Sequence, residues 1–140
     1  NLVIGGDQIL PSISANIGVY PTEPMADPLA DWMASCARFS QVAEPRHLVL
    51  PGHKLPFTGL RLRLRQMAEN HEGAIARLID HLATPRSAVD CFPALFKRPI
   101  GEAEFSLALV EAVAHLNYLL HRGLGRRVLS PEGIWLWDRA

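Results

Sequence analysis

The sequence predicts an α+β fold: short strands and one helix before residue 60, then a helical module closed by a hairpin. Three observations carry this. The apolar runs Leu2-Val3-Ile4 and His47–Leu50 are too short for helices, and each is cut off by a turn pair, Gly5-Gly6 and Pro51-Gly52. From Leu60 onward the apolar positions step by three or four, the spacing of a buried helix face. Near the end, two apolar runs flank Ser130-Pro131-Glu132-Gly133, a four-residue turn with proline second.

Taken in order, the first strand ends at Gly5-Gly6-Asp7, and Gln8 to Tyr20 alternates enough to predict short extended pieces broken by Pro11 and Gly18. Pro21 to Pro28 holds three prolines and reads as a loop. Asp27 is an N-cap with Pro28 at the first helical position, and Leu29, Trp32, Met33 and Cys36 recur on one face of a helix ending near Arg38. His47–Leu50 is the second strand. Leu60, Leu64, Met67, His71, Ile75, Leu78 and Leu82 line one long helix to Ala83, which Thr84-Pro85 stops. Ser87 to Phe96 reads as a short helix. Phe105, Leu109, Ala112, Leu116 and Leu119 mark a third helix, closed by Gly123. Helix, short helix, helix and hairpin is the order of a winged-helix module, so two domains are expected, 1–60 and 61–140, meeting inside the long helix.

Composition bounds the function. The chain has 140 residues, 49% of them hydrophobic, enough for a core. Lysine plus arginine (14) offset aspartate plus glutamate (14), so no global field draws in nucleic acid or an anionic membrane. Cys36 and Cys91 match no metal spacing and read as reduced core residues. No apolar run approaches the length of a membrane span, and Asn1–Asp7 lacks the basic region of a signal peptide. The expectation is a soluble, cytoplasmic protein with no membrane partner. The start, without an initiator methionine and already strand-like, suggests the later part of something longer.

Asp7 and His53 are the candidate site residues, each placed where an apolar run stops at a turn. Taken alone, Asp7 is better explained as a turn residue after Gly5-Gly6, and His53 equally well as a loop histidine bonded to backbone. Two pieces together, Val3-Ile-Gly-Gly-Asp-Gln-Ile-Leu10 and Leu48-Val-Leu-Pro-Gly-His53, resemble the C-terminal portion of a metallo-β-lactamase-fold hydrolase of the glyoxalase II-like superfamily. Asn70–Leu78 and Glu111–Leu119 resemble the winged-helix domain that follows that catalytic fold in one branch. The resemblance implies the C-terminal part of an αββα sandwich followed by a winged helix. It implies that Asp7 bridges two divalent metal ions and that His53 binds the second, the metals being zinc, with iron or manganese as alternatives. It further implies hydrolysis of a small-molecule ester or thioester by a metal-bound hydroxide.

The chain departs from the family pattern in one respect. The upstream His-x-His-x-Asp-His signature is absent, for no two of His47, His53, His71, His81, His115 and His121 are separated by one residue. Two ligands are fewer than a zinc site takes, so this chain alone is expected to be inactive, with its metals incomplete or absent. A homo-oligomer is expected. Two other readings stand: a non-catalytic winged-helix interaction module, and an RNA-processing metallo-hydrolase in which Arg61, Arg63, Arg65, Arg122, Arg126 and Arg127 meet phosphates. Glu102, Glu104 and Glu111 on the third helix argue against sequence-specific DNA binding. Ser35, Ser87 and Ser106 lack a nucleophile-elbow context.

Overall fold

A computed structural model describes residues 1–140, which form two compact units: residues 1–16 with 31–71, and residues 17–30 with 72–140. The helices α1 (Pro28–Val42) and α2 (Leu60–His81) each contribute to both.

In the first unit, β1 (Leu2–Gly6) pairs in parallel with β2 (Leu48–Pro51), Leu2 opposite Leu48, Val3 opposite Val49, Ile4 opposite Leu50 and Gly6 opposite Pro51. An irregularity between Ile4 and Gly6 lets the register slip by one residue at the strand end. Parallel strands need a long connection, and the segment between β1 and β2 that includes α1 supplies it. Ile9, Leu10, Trp32, Cys36, Val49, Leu60, Leu64 and Met67 are buried, while Leu2 and Ile4 on the opposite face of β1 are exposed. Gly5 is buried where a side chain would crowd Val49 Cγ1 and the Ile9 carbonyl, both 3.1 Å from an added Cβ. The extended pieces expected between Gln8 and Tyr20 do not become strands. Without a ladder partner, Leu10 and Ile13 instead give their carbonyls to the Arg63 guanidinium, at 2.6 and 2.9 Å.

In the second unit, a 3₁₀ turn (Val89–Cys91) runs into the short helix α3 (Phe92–Leu95), a more broken segment than the single helix expected over 87–96. Its opening is fixed by a reciprocal capping pair, Ser87 N–H donating to Asp90 Oδ2 at 3.0 Å and Asp90 N–H donating to Ser87 Oγ at 3.3 Å. The helix α4 (Phe105–His121) follows. It ends as expected at Gly123, whose φ is 65°, with Leu124 N–H donating to Leu119 and Gly123 N–H to Leu120. The strands β3 (Gly125–Leu129) and β4 (Trp135–Arg139) form the antiparallel hairpin expected around Ser130–Gly133. Leu78, Leu82, Cys91, Phe92, Leu95, Ala112, Leu116, Leu119 and Trp137 form one buried cluster. Glu102–His121 is long and apolar enough by composition to cross a membrane, but Ala108, Ala112, Leu116 and Leu119 within it belong to this core.

Both cysteines are buried and free, as their isolation in the sequence predicts. The ends of α1 and α2 fall at Val42 and His81, where Arg38 and Ala83 were expected; helix ends are the part of an element that periodicity fixes least.

Candidate metal centre

Parallel pairing puts the C-terminal ends of β1 and β2 side by side, so the first residues beyond each strand become neighbours. Gly6 turns the chain with φ at 49°, a conformation that favours glycine, and delivers Asp7. Beyond Pro51, Gly52 N–H donates to the Gly6 carbonyl at 2.8 Å and ties the two turns together. His53 follows, and its Nε2 lies 3.4 Å from Asp7 Oδ1. Both side chains are mostly exposed, at 65% and 62%, so the paired donors face outward.

Gly52 sets this approach. A Cβ there would overlap Asp7 Oδ1 and stand 3.2 Å from the Gly6 carbonyl carbon. Only a residue without a side chain allows the carboxylate to lie across the turn. Two further contacts hold the surroundings. Val49 and Phe57 exchange backbone hydrogen bonds at 2.8 and 3.1 Å, closing the loop that carries His53. Arg63, by binding the Leu10 and Ile13 carbonyls, secures the chain just past Asp7. The turn at Pro51-Gly52 is legible in sequence; the overlap that makes Gly52 necessary is not, and nothing in sequence signals the reach of Arg63.

The donor chemistry suits a divalent cation. A carboxylate oxygen and an imidazole nitrogen converge from strand ends, with an open side toward solvent and a glycine cradle between them. The set is nevertheless partial: no group of three or more His, Cys, Asp or Glu side chains in the chain could hold a metal. The remaining histidines are engaged elsewhere. His47 Nδ1 accepts from Glu44 N–H, His81 Nε2 meets the Asp90 carbonyl, and His121 Nε2 meets the Met25 carbonyl. His71 packs edge-on against Trp32, and burial pushes the His115 imidazole below its ordinary pKa while Nδ1 meets the Glu111 carbonyl. These are structural roles, as the position of His71 on an apolar stripe predicts.

The arginines that sequence places as phosphate contacts are likewise committed. Arg61 donates to the Ala43 carbonyl, Arg65 pairs with Glu69, Arg122 with Asp27 and Arg126 with Asp138. Arg127 lies over the Trp135 and Trp137 rings, 4.2 and 5.2 Å from their centroids.

Residues 75–140 match the family model described as the C-terminal domain of metallo-beta-lactamase-like proteins. A beta-lactamase domain protein from Burkholderia ambifaria has a crystal structure that superposes on 99% of the chain at a TM-score of 0.93, with 36% identity. The chain belongs to the metallo-β-lactamase superfamily. A metallo-beta-lactamase family protein from Thermus thermophilus is similar over 99% of the chain, with a TM-score of 0.82 and 25% identity. The chain spans 41% and 42% of the length of these two superfamily members. No curated protein matches it. Metallo-β-lactamase family proteins generally bind divalent metals, and Asp7 Oδ1 and His53 Nε2 are the carboxylate and imidazole atoms that converge at the strand ends of this chain.

Proposed function

We propose that the chain is the C-terminal portion of a metal-dependent hydrolase, in which Asp7 bridges two divalent ions and His53 ligates one of them. The observation that carries the reading is the Asp7–His53 approach at 3.4 Å across the ends of parallel strands, in a chain of the metallo-β-lactamase superfamily. The proposed metal is zinc, and the proposed substrate is a small-molecule ester or thioester. A bound metal pair would supply Lewis-acid activation of water and of the scissile carbonyl. The chain's own part is positional. Gly52 and the Gly52–Gly6 hydrogen bond fix the carboxylate against the imidazole, and the Val49–Phe57 bridge fixes the loop behind them.

We assign residues 1–60 to the tail of the αββα sandwich and residues 61–140 to a winged-helix domain that shapes the substrate cleft or pairs subunits of a cytoplasmic homo-oligomer. The order of α2, α3, α4 and the β3–β4 hairpin supports the winged-helix assignment. An RNA-processing role is less well supported, because the arginines that would meet phosphates already hold carbonyls, carboxylates or aromatic rings.

The decisive experiment is metal analysis of the product of the whole reading frame, wild type and Asp7→Ala. Two ions per wild-type subunit and loss of the pair in the variant are expected. Retention of both ions by Asp7→Ala would remove Asp7 from the site. Absence of metal in wild type would favour the non-catalytic interaction module.

A further inference from the structure

Lys54, immediately after His53, has a φ of 74° and is the one residue other than glycine in the chain with a positive φ. In this left-handed region a side chain crowds the backbone, and glycine would sit there without strain. The strain has no evident return inside the chain. Lys54 is exposed, and no carboxylate or carbonyl engages its ammonium. The other cations of the same unit differ: Arg46 pairs with Glu44, Arg65 with Glu69, and Arg61 and Arg63 hold backbone carbonyls. Arg38 is also without a partner, but it lies on α1, away in sequence from the donor pair. A strained lysine with a free charge beside an open pair of donors is the signature of a residue kept for what binds there.

We propose that Lys54 is a specificity-determining residue, holding a carboxylate that the substrate carries at a position remote from the bond to be broken. The inference rests on the reading of Asp7 and His53 as part of a hydrolytic site. A single ammonium is a compact point charge without the fork of arginine, and a monoanion is its natural complement. Lys54 follows His53 directly in the chain and is exposed next to the exposed Asp7–His53 pair. A substrate held by both would be bound at its reacting end and at its charged end.

The test uses the metal-loaded product of the whole reading frame, as wild type, Lys54→Gly and Lys54→Arg. Binding is measured by calorimetry for N-phenylglutaramic acid and for its neutral primary amide, and hydrolysis for mono-4-nitrophenyl glutarate and 4-nitrophenyl butyrate. Wild type is expected to bind the acid at least ten-fold tighter than the amide. Lys54→Gly should abolish that preference and lower the ratio of kcat/KM for the anionic over the neutral ester at least ten-fold. Lys54→Arg should keep most of both, and the melting temperature of Lys54→Gly should equal or exceed that of wild type. Equal binding of acid and amide by wild type, a preference that survives in Lys54→Gly, or a lower melting temperature in that variant would each overturn the proposal. If neither ester is cleaved while the acid preference depends on Lys54, the hydrolase reading falls and the carboxylate subsite stands. Cleavage of both esters without preference gives the reverse.

Discussion

His53 Nε2 stands 3.4 Å from Asp7 Oδ1, although the chain passes through the whole of α1 between them. The approach is produced by backbone: parallel β1 and β2 end together, and Gly52 leaves the space that the Asp7 carboxylate occupies. The pair is therefore sensitive to a methyl group placed at Gly52, a residue with no side chain of its own to lose.

Gly52→Ala should displace the Asp7 carboxylate, since the new Cβ would overlap Oδ1. Overpacking of this kind costs about 1–3 kcal/mol, part of it as stability and part as misplacement of the ligand. Metal affinity of the whole-reading-frame product is expected to fall at least ten-fold, about 1.4 kcal/mol. Titration with zinc under a competing chelator would show it. Unchanged affinity would mean that the carboxylate can relocate without loss, and that Gly52 is only a turn residue.

Arg63 offers a second route to the same carboxylate. Its Nε and Nη2 donate to the Leu10 and Ile13 carbonyls, and the fork geometry serves both at once. Arg63→Lys keeps the charge but cannot span two carbonyls. It should destabilise the chain by about 1.5–3 kcal/mol, the worth of one hydrogen bond to a charged group. Amide hydrogen exchange should accelerate around Leu10 to Ile13 more than in β2. Uniform acceleration across the unit would show that the clamp supports the whole unit rather than this segment.

The positions of Asp7 and His53 could be read from sequence because Gly5-Gly6 and Pro51-Gly52 mark where two apolar runs must stop. The hairpin and Gly123 were legible for the same reason: turn chemistry is local. What could not be read is what depends on distant partners. The segment from Gln8 to Tyr20 has strand-like alternation, but it finds Arg63 instead of a ladder. The need for glycine at position 52 arises only when β1 is beside β2, and the φ of Lys54 belongs to a turn whose residue types do not announce it.

Cysteine chemistry gives a pH prediction. Burial pushes the Cys91 thiol up to about 12, with the charge of Asp90 adding to it, and burial also raises Cys36. Neither should react with a disulfide reagent at pH 8 in the native chain, and both should react in denaturant. The folded value of Cys91 lies above its ordinary value of 9.0, so the native state binds the proton more tightly than the unfolded state. The stabilising contribution is full below pH 9.0 and is lost as pH rises toward 12. Its slope cannot exceed one proton, about 1.4 kcal/mol per pH unit. Urea unfolding of wild type and Cys91→Ala should show their stability difference narrowing above pH 9. A difference that stays constant to pH 11 would show that Cys91 does not titrate differently in the two states.

Asn117 tests the second unit most directly. It is fully buried on α4, and its Nδ2 donates to the Pro24 and Ala26 carbonyls at 3.0 and 2.9 Å, fixing a proline-rich loop that has no regular ladder of its own. Asn117→Ala removes both donors and leaves two carbonyls facing a cavity. The expected cost is about 2–4 kcal/mol. For a unit of this size that corresponds to a fall in melting temperature of roughly 8 °C or more. Asn117→Asp is nearly the same size but, when ionised, presents only acceptors to two carbonyls, so it should be worse than alanine at neutral pH and recover as the pH is lowered. Thermal melts at pH 5 and pH 7.5 separate the two variants. If Asn117→Asp melts above Asn117→Ala at pH 7.5, volume outweighs hydrogen bonding at this position and the loop is held by packing.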